Sequence, residues 1–293
     1  MSGQGNPAHV HRLLRAPATA PVPAEASAPG EACAARLAVP WTSLARIGWP
    51  LLGFALAVLA WGLGVGQLSI APAISEAFSP QASANALFSL LASGVLWPHV
   101  ATSMERIAVS MVLALAIGVP LGVLLGLSWR FSQATSTLFH FLRMISPLSW
   151  MPLAVMVLGI GDAPVIFLLT FAALWPVMLN TAAGVAALDP DWLRLSESLS
   201  ATRWETVTQV VLPGIVAHVL TGFRLAIGIG WIILVPAEML GVSSGLGYFI
   251  LDARDRLAYS DLMAAIVVIG ALGFALDALA RAAHRRWLHQ PVE

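Results

Sequence analysis

The sequence predicts an all-α polytopic membrane protein with about six transmembrane helices. Hydrophobic residues make up 58% of the 293 positions and charged residues only 10%, and the mean hydropathy is +0.83, far above the average of soluble proteins. Several apolar stretches approach the length of about 20 residues that a helix needs to cross a bilayer. A polar stretch with helical periodicity separates the last two of these from the others.

The predicted spans are not equally continuous. The third contains Arg143, Pro147 and Pro152, and proline interrupts the hydrogen bonding of a helix. The predicted spans are 49–66, 107–127, 138–160, 164–185, 215–236 and 262–280.

The regions outside the spans have distinct compositions. Residues 1–45 are rich in Ala and Pro and predict a disordered cytoplasmic tail. The first long apolar run begins near residue 48, which predicts a retained anchor and not a cleaved signal peptide. The predicted organisation is a first transmembrane helix at 46–66, a periplasmic connection at 67–103, a core at 104–285 that includes the polar stretch 186–214, and a cytoplasmic tail at 286–293.

The distribution of arginine predicts that both termini and the polar stretch are cytoplasmic, because positive charge is concentrated on the inner side of membrane proteins. Arg224 then lies within the fifth span. The arginines assigned outside are Arg106, Arg254 and Arg256. Those assigned inside are Arg12, Arg15, Arg36, Arg46, Arg130, Arg143, Arg194, Arg203, Arg281, Arg285 and Arg286.

The absence of lysine from the sequence excludes several functions. All fifteen positive charges are arginine, so neither a P-loop nor a lysine Schiff base can form. The single cysteine, Cys33, excludes an intrachain disulfide, and the scattered histidines show no ligand spacing for a metal. A net charge of zero does not indicate a nucleic-acid partner.

The polar stretch predicts two short amphipathic helices. Asp189 and Pro190 are typical of a helix start, and the break at Ser200-Ala201 separates the two helices. Thr202 and Glu205, which flank Arg203, have the spacing of a capping box. The apolar stripes are Trp192, Leu195 and Leu199 on the first helix and Trp204, Val207 and Val211 on the second.

Leu212-Pro213-Gly214 is expected to end the second helix and turn the chain back into the bilayer. Periodicity alone leaves two roles open for this hairpin. It could lie on lipid headgroups, or it could insert its apolar stripe into a groove on a partner protein.

The position and spacing of the hairpin resemble the coupling loop of permease subunits of ABC importers. That motif is EAA, three residues, Gly, nine residues and I-x-L-P. With Leu212-Pro213 on the terminal L-P, Ser200 falls on the Gly and Arg194 on the Glu. If Ser200 replaces this glycine, its φ is expected to stay negative.

Further segments are similar to the nitrate/sulfonate/bicarbonate (taurine-type) branch of the same family, over roughly 90–285. They are LWPH at 96–99, IGVPLGVLLGLSWR at 117–130, LRMISPLSWMPL at 142–153, WPVMLNTAAGV at 175–185 and GFRLAIGIGWIILVPAEMLGVSSGLGYFI at 222–250.

The resemblance implies a permease in the bacterial inner membrane that forms a substrate pathway for a small oxyanion and performs no catalysis. It implies a second permease copy, a periplasmic solute-binding protein, and cytoplasmic ATPase subunits that bind ATP and Mg, with no cofactor in this chain. The residues implied to contact the ATPase are Trp192, Leu195, Leu199, Ser200, Thr202, Arg203, Trp204, Glu205, Val207, Leu212 and Pro213.

Candidate pathway or gate residues are ionisable or polar groups within or near the later spans, because such groups are costly in hydrocarbon. Arg224 is expected to be an inner-face anchor or an anion contact, and Asp277 to pair with Arg281. Glu238 is expected to cap the Ser243-Ser244 turn, to pair with Arg254 or Arg256, or to shape an outer gate.

Three other functions are weighed against this one. A stand-alone secondary transporter or channel predicts inverted repeats and ionisable groups at the bilayer midplane, whereas the ionisable groups are assigned to span ends. An intramembrane enzyme predicts a cluster of catalytic side chains, and the sequence shows no such cluster. Import of a heterocyclic vitamin precursor remains an alternative within the same family.

Overall fold

The computed structural model describes residues 41–67 and 72–288, and helices dominate these residues. The helices are α1 (Trp41–Gln67), α2 (Pro72–Ala77), α3 (Pro80–Ser93), α4 (Leu96–Leu127), α5 (Trp129–Met144), α6 (Met151–Leu158), α7 (Asp162–Ala186), α8 (Pro190–Ser198), α9 (Arg203–Glu205), α10 (Leu212–Glu238), α11 (Leu246–Asp255) and α12 (Tyr259–Leu288). A 3-10 turn at Pro147–Trp150 precedes α6, and a π-helical segment at Thr206–Val211 joins α9 to α10.

The chain divides into two units within α1. The first ends at Leu56, and the second is Ala57–Glu293. The predicted disordered tail lies outside the described residues up to position 40, and 41–45 already belong to α1. All the contacts below are within the second unit.

Helices α4, α7 and α10 form the centre of the second unit. Gly118, Gly122 and Gly126 recur at every fourth position of α4, and this spacing predicts a small-residue face for close helix packing. A Cβ added to Gly118 would lie 2.9 Å from Val177 Cγ1, and one added to Gly122 would lie 2.5 Å from Thr181 Cβ. A Cβ on Gly126 would collide with Val185. The predicted close helix packing is therefore confirmed.

The structure supports fewer spans than the sequence predicted. Four of the described helices are long and apolar enough to cross a membrane, or up to five if a bent pair counts as one span. In α1 the apolar part is the shorter stretch Leu51–Gly66. The predicted count of six is therefore not confirmed.

Helix α4 is longer than the predicted second span. It extends to Leu96 and includes Arg106, which lies directly before that span in the sequence. Hydropathy missed this turn of α4 because it contains Glu105 and Arg106, although Arg106 is buried inside the helix packing.

The predicted third span is broken. Helix α5 and the segment Pro147–Leu158 are inclined by 87°, because the prolines at 147 and 152 each lack an amide donor and start new helical segments. Arg143 lies in the last turn of α5. It borders cavities that also contact Trp175, near the middle of α7.

The expected turn at Leu212-Pro213-Gly214 is also wrong. The chain is helical from Arg203 to Glu238 over 36 residues. The π-helical segment directly before Pro213 explains this continuity: the Leu212 amide donates to the Val207 carbonyl. This wider turn gives room for a proline ring that would otherwise clash with a carbonyl of the preceding turn.

Candidate functional site

The two-helix hairpin at α8 and α9 is held by three local motifs. At its start, the Asp191 amide donates to Asp189 Oδ1 at 3.0 Å, which confirms Asp189 as the cap of α8. At α9, the Glu205 amide donates to Thr202 Oγ1 at 3.3 Å, and the Thr202 amide donates to Glu205 Oε2 at 2.7 Å. The predicted capping box is confirmed, because each residue satisfies the other's backbone.

The end of α8 corrects the expectation for Ser200. Its φ is +59°, the left-handed conformation that glycine adopts most easily. The Ser200 amide donates to the Glu197 carbonyl and the Ala201 amide to the Ser196 carbonyl, both at 3.0 Å. These bonds form a Schellman motif, so Ser200 adopts the conformation expected of the glycine it replaces.

The two predicted stripes do not form one continuous surface. Trp192, Leu195, Leu199 and Trp204 are exposed, and we call these four side chains the outer apolar face. Val211 is buried, and Val207 packs on the buried cluster around it. The π-helical segment shifts the register after Trp204, because its i→i+5 bonding adds a residue to the turn. Val207 and Val211 therefore belong to the core.

The residues around the outer apolar face are polar. Arg194, which falls on the Glu of the coupling motif, is exposed and pairs with Asp191 at 2.9 Å. A shallow cavity of about 180 Å³ lies between the two helices of the hairpin. Its lining includes Trp192, Leu195, Leu199 and Glu205. An apolar face with a charged border is typical of a protein-docking surface.

The far end of α10 carries a buried ionic cluster. Glu238 is fully buried and Arg106 is 2% exposed, and Arg106 Nη1 donates to Glu238 Oε1 at 2.6 Å. Arg106 Nη2 also lies 2.6 Å from Oδ1 of Asp162, whose side chain is exposed. Ser103 Oγ lies 2.8 Å from both carboxylate oxygens of Glu238. The cluster joins the ends of α4, α7 and α10.

The start of α11 completes the cluster. The Gly247 amide donates to Glu238 Oε2 at 2.9 Å, and Arg106 Nη1 donates to the Ser244 carbonyl at 2.8 Å. Gly245 has φ +108°, and a Cβ there would lie 2.5 Å from Arg106 Nη1. Glycine is thus needed for both the turn and the close approach. Glu238 is the carboxylate at the N-terminus of α11, where the helix dipole favours it.

Two expectations for Glu238 are therefore wrong. Its partner is Arg106, while Arg254 pairs with Asp255 and Arg256 pairs with Asp252. It caps α11 and not the Ser243-Ser244 turn. Ser244 contributes its carbonyl and hydroxyl to Arg106, whereas Ser243 is exposed. The sequence could not identify Arg106, because its position 132 residues before Glu238 gives no local signal.

A second group of charges lies on α10 and α12. Arg224 Nε is 3.5 Å from Asp277 Oδ1, and Asp277 also pairs with Arg281 one turn later, as the sequence predicted. All three side chains are partly exposed. Arg224 thus has an acidic partner, and its role as an inner-face anchor or an anion contact stays a prediction.

These features define a class of protein: a multi-pass helical membrane protein with a polar hairpin outside its apolar helices. Residues 118–289 match the family model of the binding-protein-dependent transport system inner membrane component. The chain belongs to this family.

Relatives with assigned transport functions support the same conclusion. The chain is 35% identical over 186 residues to the nitrate import permease NrtB of Leptolyngbya laminosa, covering 64% of this chain and 66% of the relative. It is 36% identical over 189 residues to the bicarbonate permease CmpB of Synechococcus elongatus, covering 64% and 67%. It is 35% identical over 191 residues to the taurine permease TauC of Escherichia coli, covering 65% and 70%. The matches thus span about two thirds of each relative.

One solved structure shows the same fold. An inward-facing structure of the MetNI methionine ABC transporter has a TM-score of 0.52 to this chain at 18% identity, covering 65% of this chain and 93% of that one. The family match and the named relatives identify the chain as a permease subunit of an ABC importer. This family implies an ATPase partner and a substrate-binding protein. Its relatives are named as permease proteins.

Proposed function

We propose that this permease forms the pathway of an ATP-driven importer for a small oxyanion, either nitrate, bicarbonate or an aliphatic sulfonate such as taurine. The relatives named for these solutes support the substrate class. All three solutes present a delocalised negative charge on oxygen atoms. The chain lies in the bacterial inner membrane with both termini and the hairpin in the cytoplasm, in line with the distribution of its arginines.

The outer apolar face carries the proposal for coupling. Trp192, Leu199 and Trp204 expose between 60% and 75% of their surface, which is unfavourable for an isolated helical hairpin in water. In the assembled importer, a groove on each ATPase subunit covers this face. ATP and Mg bind to the ATPase, and its closure moves the hairpin. A second permease copy completes the pathway, and a periplasmic binding protein delivers the solute.

Transport by reconstituted protein tests the proposed function. The permease is placed in liposomes with its ATPase, and isotopically labelled nitrate, taurine and bicarbonate are supplied with the binding protein. We expect uptake of at least one solute that requires both ATP and the binding protein. If none of the three is taken up, the substrate class is wrong. Uptake by the permease alone would instead indicate a stand-alone transporter or channel.

A further inference from the structure

Arg143 differs from the other arginines near the apolar core in having no countercharge. Arg106 pairs with Asp162 and Glu238, and Arg224 and Arg281 pair with Asp277. Across residues 41–67 and 72–288, no hydrogen bond or ion pair involves the Arg143 side chain, which is exposed. The carbonyl end of α5 provides only about half a compensating charge. The positive charge of the Arg143 side chain is therefore only partly compensated.

This charge lies at the junction of two cavities. The larger has a volume of about 610 Å³ and the smaller about 370 Å³, and Arg143, Trp175 and Leu179 line both. The larger cavity extends to Leu127 and Ala186, at the ends of α4 and α7 that adjoin the hairpin. The smaller continues in the other direction, to Ala172 and Ile233.

Arg143 therefore lies level with the middle of α7, although its side chain is exposed. It follows Trp129, the first residue of α5, by fourteen positions, which corresponds to roughly 21 Å along a helix. Trp175, on the same cavities, is near the middle of α7. An uncompensated charge in this position marks an ion or substrate pathway.

The other polar groups of the two cavities are hydrogen-bond donors. Ser132, Ser136 and His140 lie on the same face of α5 as Arg143 and line the larger cavity. Asn180 lines the smaller cavity and donates one of its amide hydrogens to the Pro176 carbonyl at 2.8 Å. Neither cavity has an Asp or Glu in its lining. The remaining walls are mainly apolar, so the chemistry of both cavities favours an anion.

We propose that Arg143 is the residue that binds the oxyanion as it passes through the pathway, with Ser136, His140 and Asn180 as further donors. This inference rests on the proposed function. The planar guanidinium presents two parallel N–H groups to an oxyanion, and the apolar walls strengthen this attraction. Exposure to two open cavities keeps binding weak enough for release, which a transport site requires.

Anion binding to the purified, full-length permease tests the proposal directly. The protein in lipid nanodiscs is unfolded thermally in sodium nitrate, taurine or sodium bicarbonate, with sodium chloride as the reference. We expect at least one of the three to stabilise the wild-type protein. In Arg143→Gln we expect roughly tenfold weaker apparent binding or more, since a charged hydrogen bond is lost. Arg130→Gln, on the same helix but outside both cavities, is the matched control and should bind normally.

A charge-rescue variant keeps the test valid if Arg143→Gln folds poorly. In a Cys33→Ser background, Arg143→Cys provides the only thiol of the chain. Modification with a positively charged methanethiosulfonate should restore anion binding, whereas a neutral reagent should not. Rescue by both reagents would overturn the proposal.

Other outcomes separate this inference from the proposed function. No stabilisation of the wild type, or equal stabilisation of Arg143→Gln, overturns the role of Arg143. Arg143-dependent binding without ATP-dependent uptake keeps the anion site and overturns the proposed function. If Arg143 instead holds a lipid phosphate, native mass spectrometry will show a phospholipid that Arg143→Gln loses, and nitrate will bind both proteins equally. This last result also overturns the proposal.

Discussion

Arg106 on α4 and Glu238 at the end of α10 are joined by a 2.6 Å ion pair that is almost completely shielded from solvent. Each partner has further hydrogen bonds, from Ser103 and Gly247 to the carboxylate and from Arg106 to Ser244. These bonds replace much of the hydration that both charges lose on burial. The pair therefore fixes the relative position of α4, α10 and the start of α11.

Removal of one charge from this pair should destabilise the protein strongly. We expect Arg106→Met to cost about 3–5 kcal/mol, because it leaves a buried carboxylate without its cation. The double variant with Glu238→Met should regain a large part of this loss. Thermal unfolding of the purified permease measures both effects. Arg254→Met is the control, because its pair with Asp255 is exposed and contributes under about 1 kcal/mol. Equal effects of Arg106→Met and Arg254→Met would contradict the role of the cluster.

Charge on the hairpin should have different effects at Trp204 and Val207. Trp204→Glu lies on the outer apolar face, so we expect normal thermal stability but loss of ATPase association and uptake. Val207→Glu places a carboxylate against the buried cluster of Val123, Val185, Val211 and Ile215 and should destabilise the permease itself. Co-purification with the ATPase and thermal unfolding separate the two effects. ATPase binding by Trp204→Glu at the wild-type level would contradict docking through this face.

Ser200→Gly should stabilise the hairpin. A non-glycine residue in the left-handed region is disfavoured by about 1 kcal/mol, so glycine at φ +59° relieves this cost. We expect slower hydrogen exchange at the Ser200 and Ala201 amides, which close the Schellman motif. Ser200→Val should accelerate it, because a β-branched residue tolerates this conformation poorly. Leu257, at φ +57°, is a matched site, and Leu257→Gly should slow exchange only at its own turn.

Gly122→Ala should weaken the contact between α4 and α7. The added methyl group would lie 2.5 Å from Thr181 Cβ and 2.6 Å from the Met178 carbonyl oxygen, and such overpacking costs about 1–3 kcal/mol. Gly270→Ala is the control on α12, because its added Cβ meets no atom within 4 Å. We expect a lower melting temperature for Gly122→Ala and an unchanged or higher one for Gly270→Ala. Equal melting temperatures would contradict a tight contact between α4 and α7 at Gly122.

Local sequence signals predicted the hairpin and the glycine face well. Asp189, Thr202 and Glu205 act on backbone groups within three residues, and their geometry depends little on the rest of the fold. The recurrence of glycine at Gly118, Gly122 and Gly126 likewise follows from helix periodicity.

The errors arose where distant residues determine the outcome. Arg106 was left out of the predicted second span because its charge interrupts the hydropathy of α4, while the acids that neutralise it are 56 and 132 residues away. Val207 was placed on the exposed stripe because α-helical periodicity was assumed across a segment that Pro213 makes π-helical. The position of Arg143 beside Trp175 could not be predicted, because a linear pattern contains no information on how α5 tilts against α7.

The continuous helix from Arg203 to Glu238 has a mechanical consequence. At 1.5 Å per residue it forms a rod of roughly 50 Å that carries Trp204 near one end and Glu238 at the other. A movement of the hairpin therefore displaces the whole helix, including Glu238 in the ionic cluster, because no loop interrupts the helix at Gly214. The π-helical turn at Thr206–Val211 replaces the regular hydrogen bonding of this helix close to its hairpin end, so any rotation applied at Trp204 passes through it first.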